Sequence, residues 1–184
     1  MGMLKQEAEA LKAMQDSAVR LPSITEATKQ VGEGYVEHLD LRLERRLYYD
    51  SLFSIMMPNS FIDAAASTTS PMLPEVVLVS PDKAVFILID FAKIDYAKDE
   101  VGNSLEQIRS SIKLVGPQTR IYKSGIFELD GQNVEYLEFF NAVASDDLFN
   151  AFFQTSVGGK SLYCHFYCRT EVARKWRNTF WGMD

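Results

Sequence analysis

Residues 76–91 read Val76-Val77-Leu78-Val79-Ser80-Pro81-Asp82-Lys83-Ala84-Val85-Phe86-Ile87-Leu88-Ile89-Asp90-Phe91. Two β-branched, apolar runs flank a Pro-Asp turn, the pattern of a β-hairpin. The second run is apolar on both parities, with Val85, Ile87 and Ile89 on one side and Phe86 and Leu88 on the other. A strand apolar on both sides is covered on both sides. The spacing therefore predicts that Ala84 to Ile89 lies in the middle of a layered sandwich. Asp90 extends the Phe86, Leu88 side, so it either needs a partner or, the favoured reading, marks the point where that side opens to water.

Working outward, Leu43 to Tyr49 and Leu52 to Met57 form an earlier pair of strands joined at Asp50-Ser51, and Pro58-Asn59-Ser60 ends the second. Residues 62–73 are small and polar and read as a flexible loop. After the quoted hairpin, Ser104 and Gln107 fit a helical capping box. Leu105, Ile108, Ile112 and Val115 lie along one face of that helix, and Gly116-Pro117 stops it. A four-strand meander is predicted near 119–129, 133–143, 147–157 and 161–168. Its turns fall at Asp130-Gly131-Gln132, Ser145-Asp146 and Gly158-Gly159-Lys160. A last helix starts at Thr170 as N-cap, with Val172, Trp176 and Phe180 on one face and Arg174, Lys175 and Arg177 toward water. Before all of these, Leu4, Ala8, Leu11 and Ala18 follow helical spacing, Pro22 interrupts, and Ser23-Ile24-Thr25-Glu26 fits a second capping box. Residues 1–34 thus read as a helical N-terminal arm, which packs on the body or pairs with a partner, and 35–184 as one domain. Hairpins force antiparallel pairing. The expected class is α+β, an antiparallel sheet with helices on both sides, that is, an α/β/α sandwich.

The chain has 184 residues, 47% hydrophobic, 24% charged and 12% aromatic, with a formal charge of −6. That balance supplies a large core and excludes a protein that grips nucleic-acid phosphates with clustered Lys and Arg. No run approaches the ~18 apolar residues of a membrane span. The amino terminus has acids where a signal peptide has an apolar run. Gln6 argues against myristoylation at Gly2. A cytoplasmic location is expected.

This element order resembles the PsbP-like fold, which takes in the photosystem subunit PsbP, Mog-type Ran-binding proteins and small bacterial chaperone-like members. The stretches that carry the resemblance are Leu47-Tyr48-Tyr49-Asp50-Ser51-Leu52-Phe53-Ser54-Ile55-Met56-Met57-Pro58, the hairpin leading to the helix at Ser104, and Leu162 to Cys168 followed by a helix bearing Trp176. It covers residues 43–184. The resemblance implies a binding protein without catalysis.

The side chains are consistent with that implication. Cys164 and Cys168 are the only cysteines. On a strand they share a face about 13 Å apart at ~3.3 Å per residue, too far for a disulfide or a shared metal. His165 falls on the opposite face, out of reach of either thiol. Asp99 with Glu100 and Asp146 with Asp147 read as solvated turn acids. Gly158-Gly159-Lys160 lacks the spacing of a phosphate loop, and Gly32-Glu33-Gly34 that of a dinucleotide fingerprint. No catalytic, cofactor-binding or metal site is expected. Trp176 and Trp181 read as core residues. Tyr163, His165 and Tyr167 alternate along one strand, an amphipathic surface of the kind used to bind another protein if no helix covers it. A non-catalytic protein-binding module, an adaptor or chaperone, is the leading expectation. The alternative is a small-molecule or lipid carrier built on the Phe-rich segments 137–140 and 148–153. An enzyme with a site assembled from ordinary-looking residues is a third, lesser reading.

Overall fold

The computed structural model describes residues 23–64, 74–95, 101–129, 131–143 and 146–183. The helical spacing expected over 4–18, most of the small-residue loop, and the acids Asp99 and Glu100 lie outside the described residues. The chain forms two compact units.

The first unit gathers the described residues up to Arg46, Ser54–Asn59 and those from Thr170 on. Helix α1 (Ile24–Gly32) begins with the expected capping box. The Ser23 backbone N–H donates to Glu26 Oε2 at 2.8 Å, and Ser23 Oγ accepts from the Glu26 N–H at 3.2 Å. Two orphan donors of the first turn are thereby satisfied. Strand β1 (Tyr35–Val36) and a 3-10 turn (Glu37–Leu39) lead through Asp40, at φ 48°, into β2 (Leu41–Tyr48). Tyr35 Oη donates to Asp40 Oδ1 at 2.8 Å across that turn. With β3 (Phe53–Pro58) these strands form a three-stranded sheet, β1-β2-β3. Helix α3 (Thr170–Trp181) lies against α1. Gly182 follows it so closely that an added Cβ would stand 2.8 Å from Thr28 Cα. The Met56 N–H donates to the Met183 carbonyl at 3.3 Å.

The second unit comprises Leu47–Phe53 and Ser60–Arg169. It contains β4 (Ile62–Asp63), β5 (Val76–Val79), β6 (Val85–Asp95), helix α2 (Val101–Val115), and the strands β7 (Arg120–Leu129), β8 (Gln132–Val143), β9 (Asp146–Val157) and β10 (Lys160–Arg169). These strands make one seven-stranded sheet in the order β4-β5-β6-β10-β9-β8-β7. Every neighbouring pair is antiparallel. The β5–β6 turn is held by Ser80. Its Oγ accepts from the N–H groups of Ala84 (3.1 Å) and Val85 (2.9 Å) and donates to Asp82 Oδ1 at 2.5 Å. That hydroxyl, and then the Ala84 N–H, lower the pKa of the Asp82 carboxyl. One face of the sheet is a deep core of Ile87, Ile89, Phe149, Phe166, Cys164 and Cys168, all buried.

Four expectations need correction. The strand pair at 43–57 does not extend the main sheet. It forms a separate sheet with β1, and along β2 only Leu41 and Leu43 are buried, between exposed Arg42 and Glu44. The second helix begins at Val101, so Ser104 sits in its first turn instead of capping it. A Ser and a Gln three apart fit a first turn as well as a cap, so the spacing does not fix the phase. On α3 the buried residues are Ala173, Thr179 and Phe180, while Val172, Trp176, Arg174 and Arg177 are half-buried. Packing against α1, not the four-residue apolar spacing, sets which residues of α3 are buried. On β6 only the Val85, Ile87, Ile89 side is fully buried. Phe86 and Leu88 are half-buried and Asp90 is exposed, so apolarity on both parities overstated the cover.

Candidate interaction surface

Strand β10 alternates strictly: Leu162, Cys164, Phe166 and Cys168 are buried, and Tyr163, His165 and Tyr167 half-buried. Residues directly opposite in an antiparallel ladder share a face. Tyr163, His165 and Tyr167 stand opposite Asp90, Leu88 and Phe86 of β6, and opposite Gln154, Phe152 and Asn150 of β9. Long-range register thus assembles one aromatic surface from three strands. Tyr167 stacks on Phe86 with centroids 4.7 Å apart and planes 2° from parallel. His165 lies 5.4 Å from the Tyr167 ring, 6.3 Å from Phe152 and 6.4 Å from Phe139. Tyr163 lies 5.9 Å from Phe152.

A polar thread runs beneath these rings. Asn150 Nδ2 donates to Asn141 Oδ1 at 2.5 Å and to the Leu148 carbonyl at 3.2 Å. Asn150 Oδ1 is then the acceptor for His165 Nε2 at 3.0 Å. This assigns the proton of the neutral imidazole to Nε2 and leaves Nδ1 an acceptor. Burial pushes the His165 pKa down to about 4 and raises that of the Tyr167 phenol. At neutral pH the His165 and Tyr167 rings are therefore both uncharged.

Helix α2 covers one end of this face. Arg109 of α2 donates to Ser124 Oγ of β7, and Ser124 stands opposite Leu137, which stands opposite Phe152. Arg109 also pairs with Glu106 at 3.6 Å. The β10 and β6 side chains beyond it keep part of their surface in water.

The groups that suggest chemistry are held apart. Cys164 and Cys168 form no disulfide and are buried on the face opposite His165, and burial pushes the Cys168 pKa up to about 12. In the first unit, His38 Nε2 sits 2.8 Å from the Lys175 carbonyl. Among the described residues no three His, Cys, Asp or Glu side chains gather at metal-binding range. Of the Phe-rich segments, Phe139 and Phe152 lie on the His165 face and Phe140, Phe149 and Phe153 on the core face; Phe139, Phe149 and Phe153 are buried, Phe140 and Phe152 half-buried. Asp146 and Asp147, expected as turn acids, are instead the first two residues of β9, paired with Val143 and Ala142 of β8, and Asp147 is half-buried. Gly158 and Gly159 form the β9–β10 turn at φ 59° and 80°.

A second aromatic group escaped the sequence reading. Tyr49, Asp50 and Ser51 at the β2–β3 tip all have positive φ, 51°, 57° and 67°. This turn places Tyr49 4.8 Å from Phe91 and 5.6 Å from Phe53. Burial, then the Glu75 carboxylate beside it, raises the Tyr49 phenol pKa well above its usual value. Lys160 Nζ stands 5.7 Å over the Phe91 ring. Only the run of aromatics at 48, 49 and 53 hinted at this cluster.

No protein-family model matches the chain, and no curated protein matches it in sequence. Among solved structures it is similar to cyanobacterial PsbP (CyanoP) from Synechocystis sp. PCC 6803, with a TM-score of 0.63 and 16% identity over 77% of this chain and 88% of that one. It is also similar to LpqN of Mycobacterium tuberculosis, a protein involved in cell envelope biogenesis, with a TM-score of 0.51 and 10% identity over 90% and 96% of the two chains. At such identities the likeness is one of fold, and the fold is PsbP-like. No helix among the described residues is long and apolar enough to cross a membrane.

Proposed function

We propose that this chain is a non-catalytic module that binds another protein through the Tyr163, His165, Tyr167 face of its large sheet, as a cytoplasmic adaptor or chaperone. In this reading residues 35–184 are the binding domain, a sheet sandwiched between helices. Residues 1–34 are a helical arm whose described part, α1, lies against α3.

The observation that carries the reading is that an interior run of strands keeps one aromatic face partly in water. Rings with polar tips bury large areas at low entropic cost while their hydroxyls find partners, which is why interfaces are rich in Tyr. The rings are already locked by mutual stacking and by the Asn150 thread, so little ordering remains when a partner arrives. Asp90, opposite Tyr163, stands exposed at one end as a polar rim. The separation of both thiols from His165 favours binding over nucleophilic chemistry.

The test is co-purification from the native host, comparing the unmodified chain with a Tyr163→Ala/Tyr167→Ala double variant. One dominant partner held by the first and lost by the second is expected, with far-UV circular dichroism unchanged. The same partner retained by a folded double variant would refute the assignment of this face.

A further inference from the structure

Nine large apolar side chains stand exposed among the described residues, and three of them, Tyr122 (47%), Ile126 (57%) and Leu129 (39%), lie on β7. This strand has 10 residues and forms one edge of the seven-stranded sheet, whereas the strand at the other edge, β4, has 2. An edge strand presents backbone donors and acceptors to any strand that can lie beside it.

Which groups face outward follows from the hairpin. Leu129 pairs with Gln132 across a two-residue connection, and β7 then runs Glu128↔Asn133, Phe127↔Val134, Ile126↔Glu135, Gly125↔Tyr136 and Ser124↔Leu137. A two-residue hairpin closes on a hydrogen-bonded pair, and such pairs alternate with non-bonded ones along the ladder. Leu129, Phe127 and Gly125 therefore turn their backbone groups toward β8. Ser124, Ile126 and Glu128 turn theirs outward. The bulge between Ile121 and Lys123 breaks the ladder on the far side, and Lys123 stands exposed there. A bulge and a lysine blunt an edge against indiscriminate pairing. What remains is one short segment, 124–128.

We infer that this segment pairs with its counterpart in a second copy of the chain, antiparallel, about a two-fold axis at Ile126. The segment is self-complementary in that register and in no neighbouring one. All three outward residues are engaged only when the axis passes through Ile126; moving it by one residue leaves two engaged. In this register Ser124 faces the partner's Glu128, a hydroxyl opposite a carboxylate, and symmetry supplies the same pair twice. Exposed Ile126 meets the partner's Ile126. Opposed residues share a face, as a continuous sheet requires. The interaction is independent of the aromatic face of β10.

Three measurements test this. Light scattering at about 0.1 mM is expected to give a dimer, a concentration that captures even weak association. Ile126→Cys is expected to cross-link to itself under mild oxidation, because opposed Cα atoms in a hydrogen-bonded pair lie ~5.5 Å apart, inside disulfide range. Leu129→Cys should not, since Lys123 is what it would face. Ile126→Lys sets two like charges against each other and is expected to weaken association at least tenfold with circular dichroism unchanged. A monomeric unmodified chain overturns the inference. So does a dimer that survives Ile126→Lys without cross-linking through Ile126→Cys.

Discussion

Acid should weaken this protein through one ring. In the fold, burial holds His165 near a pKa of about 4, against 6.5 in a solvated chain. Above pH 6.5 both folded and unfolded states carry a neutral imidazole, and the group has no effect on stability. As the pH falls from 6.5 toward 4, the unfolded state takes up the proton first, so stability declines across that window. Below pH 4 the contribution is flat. At pH 5 the ceiling is about 2 kcal/mol. His165 keeps some contact with water, so about half of that, ~1 kcal/mol, is the expected loss. Carboxylates also titrate near this range, and the comparison with His165→Gln separates them. Urea unfolding followed by far-UV circular dichroism at pH 7.5 and 5 should show the unmodified chain losing ~1 kcal/mol more than His165→Gln, whose amide retains a donor toward Asn150. Parallel losses in the two proteins would show that the ring is solvated and that the Asn150 thread does not exclude its proton.

Three further perturbations have defined outcomes. Gly182→Ala forces a methyl to within 2.8 Å of Thr28 Cα, a backbone atom, and should lower stability by about 1–3 kcal/mol in the same unfolding assay; no loss would mean that α1 does not approach α3 this closely. Ser51→Gly relieves a left-handed backbone at φ 67° and should raise the unfolding free energy by up to ~1 kcal/mol, whereas destabilisation would imply that the Ser51 side chain has a role in the turn. Cys164 and Cys168 should resist a thiol reagent at pH 8 until denaturant is added, because both are buried and the Cys168 thiol is held protonated; rapid native labelling would contradict their placement on the core face.

Local chemistry was legible in the sequence. Ser23 and Glu26 announced α1, and Asp130-Gly131 and Gly158-Gly159 announced the turns of the meander, whose strands begin and end within a residue or so of expectation. The alternation of β10 was equally plain, so the separation of Cys164 from His165 followed from period two alone. What depended on partners distant in the chain was not legible. Nothing in residues 43–57 says that they pair with Tyr35-Val36 and stay out of the main sheet. The aromatic face was half seen: Tyr163, His165 and Tyr167 share one strand, but Phe86 and Asn150 reach them only through register. Ser104 shows the limit of local motifs, since the same spacing suits two phases of a helix.

The two compact units are interleaved along the chain. The path leaves the first at Arg46, returns for Ser54–Asn59, leaves again, and rejoins it only at Thr170. During synthesis the large sheet has all its strands once Arg169 has cleared the ribosome. The unit whose residues emerge earlier must wait, with α1 lacking α3, until the last helix appears. The segment translated first is thus completed last, and a ribosome stalled before Thr170 would display a sheet with all its strands and a first unit still without its last helix.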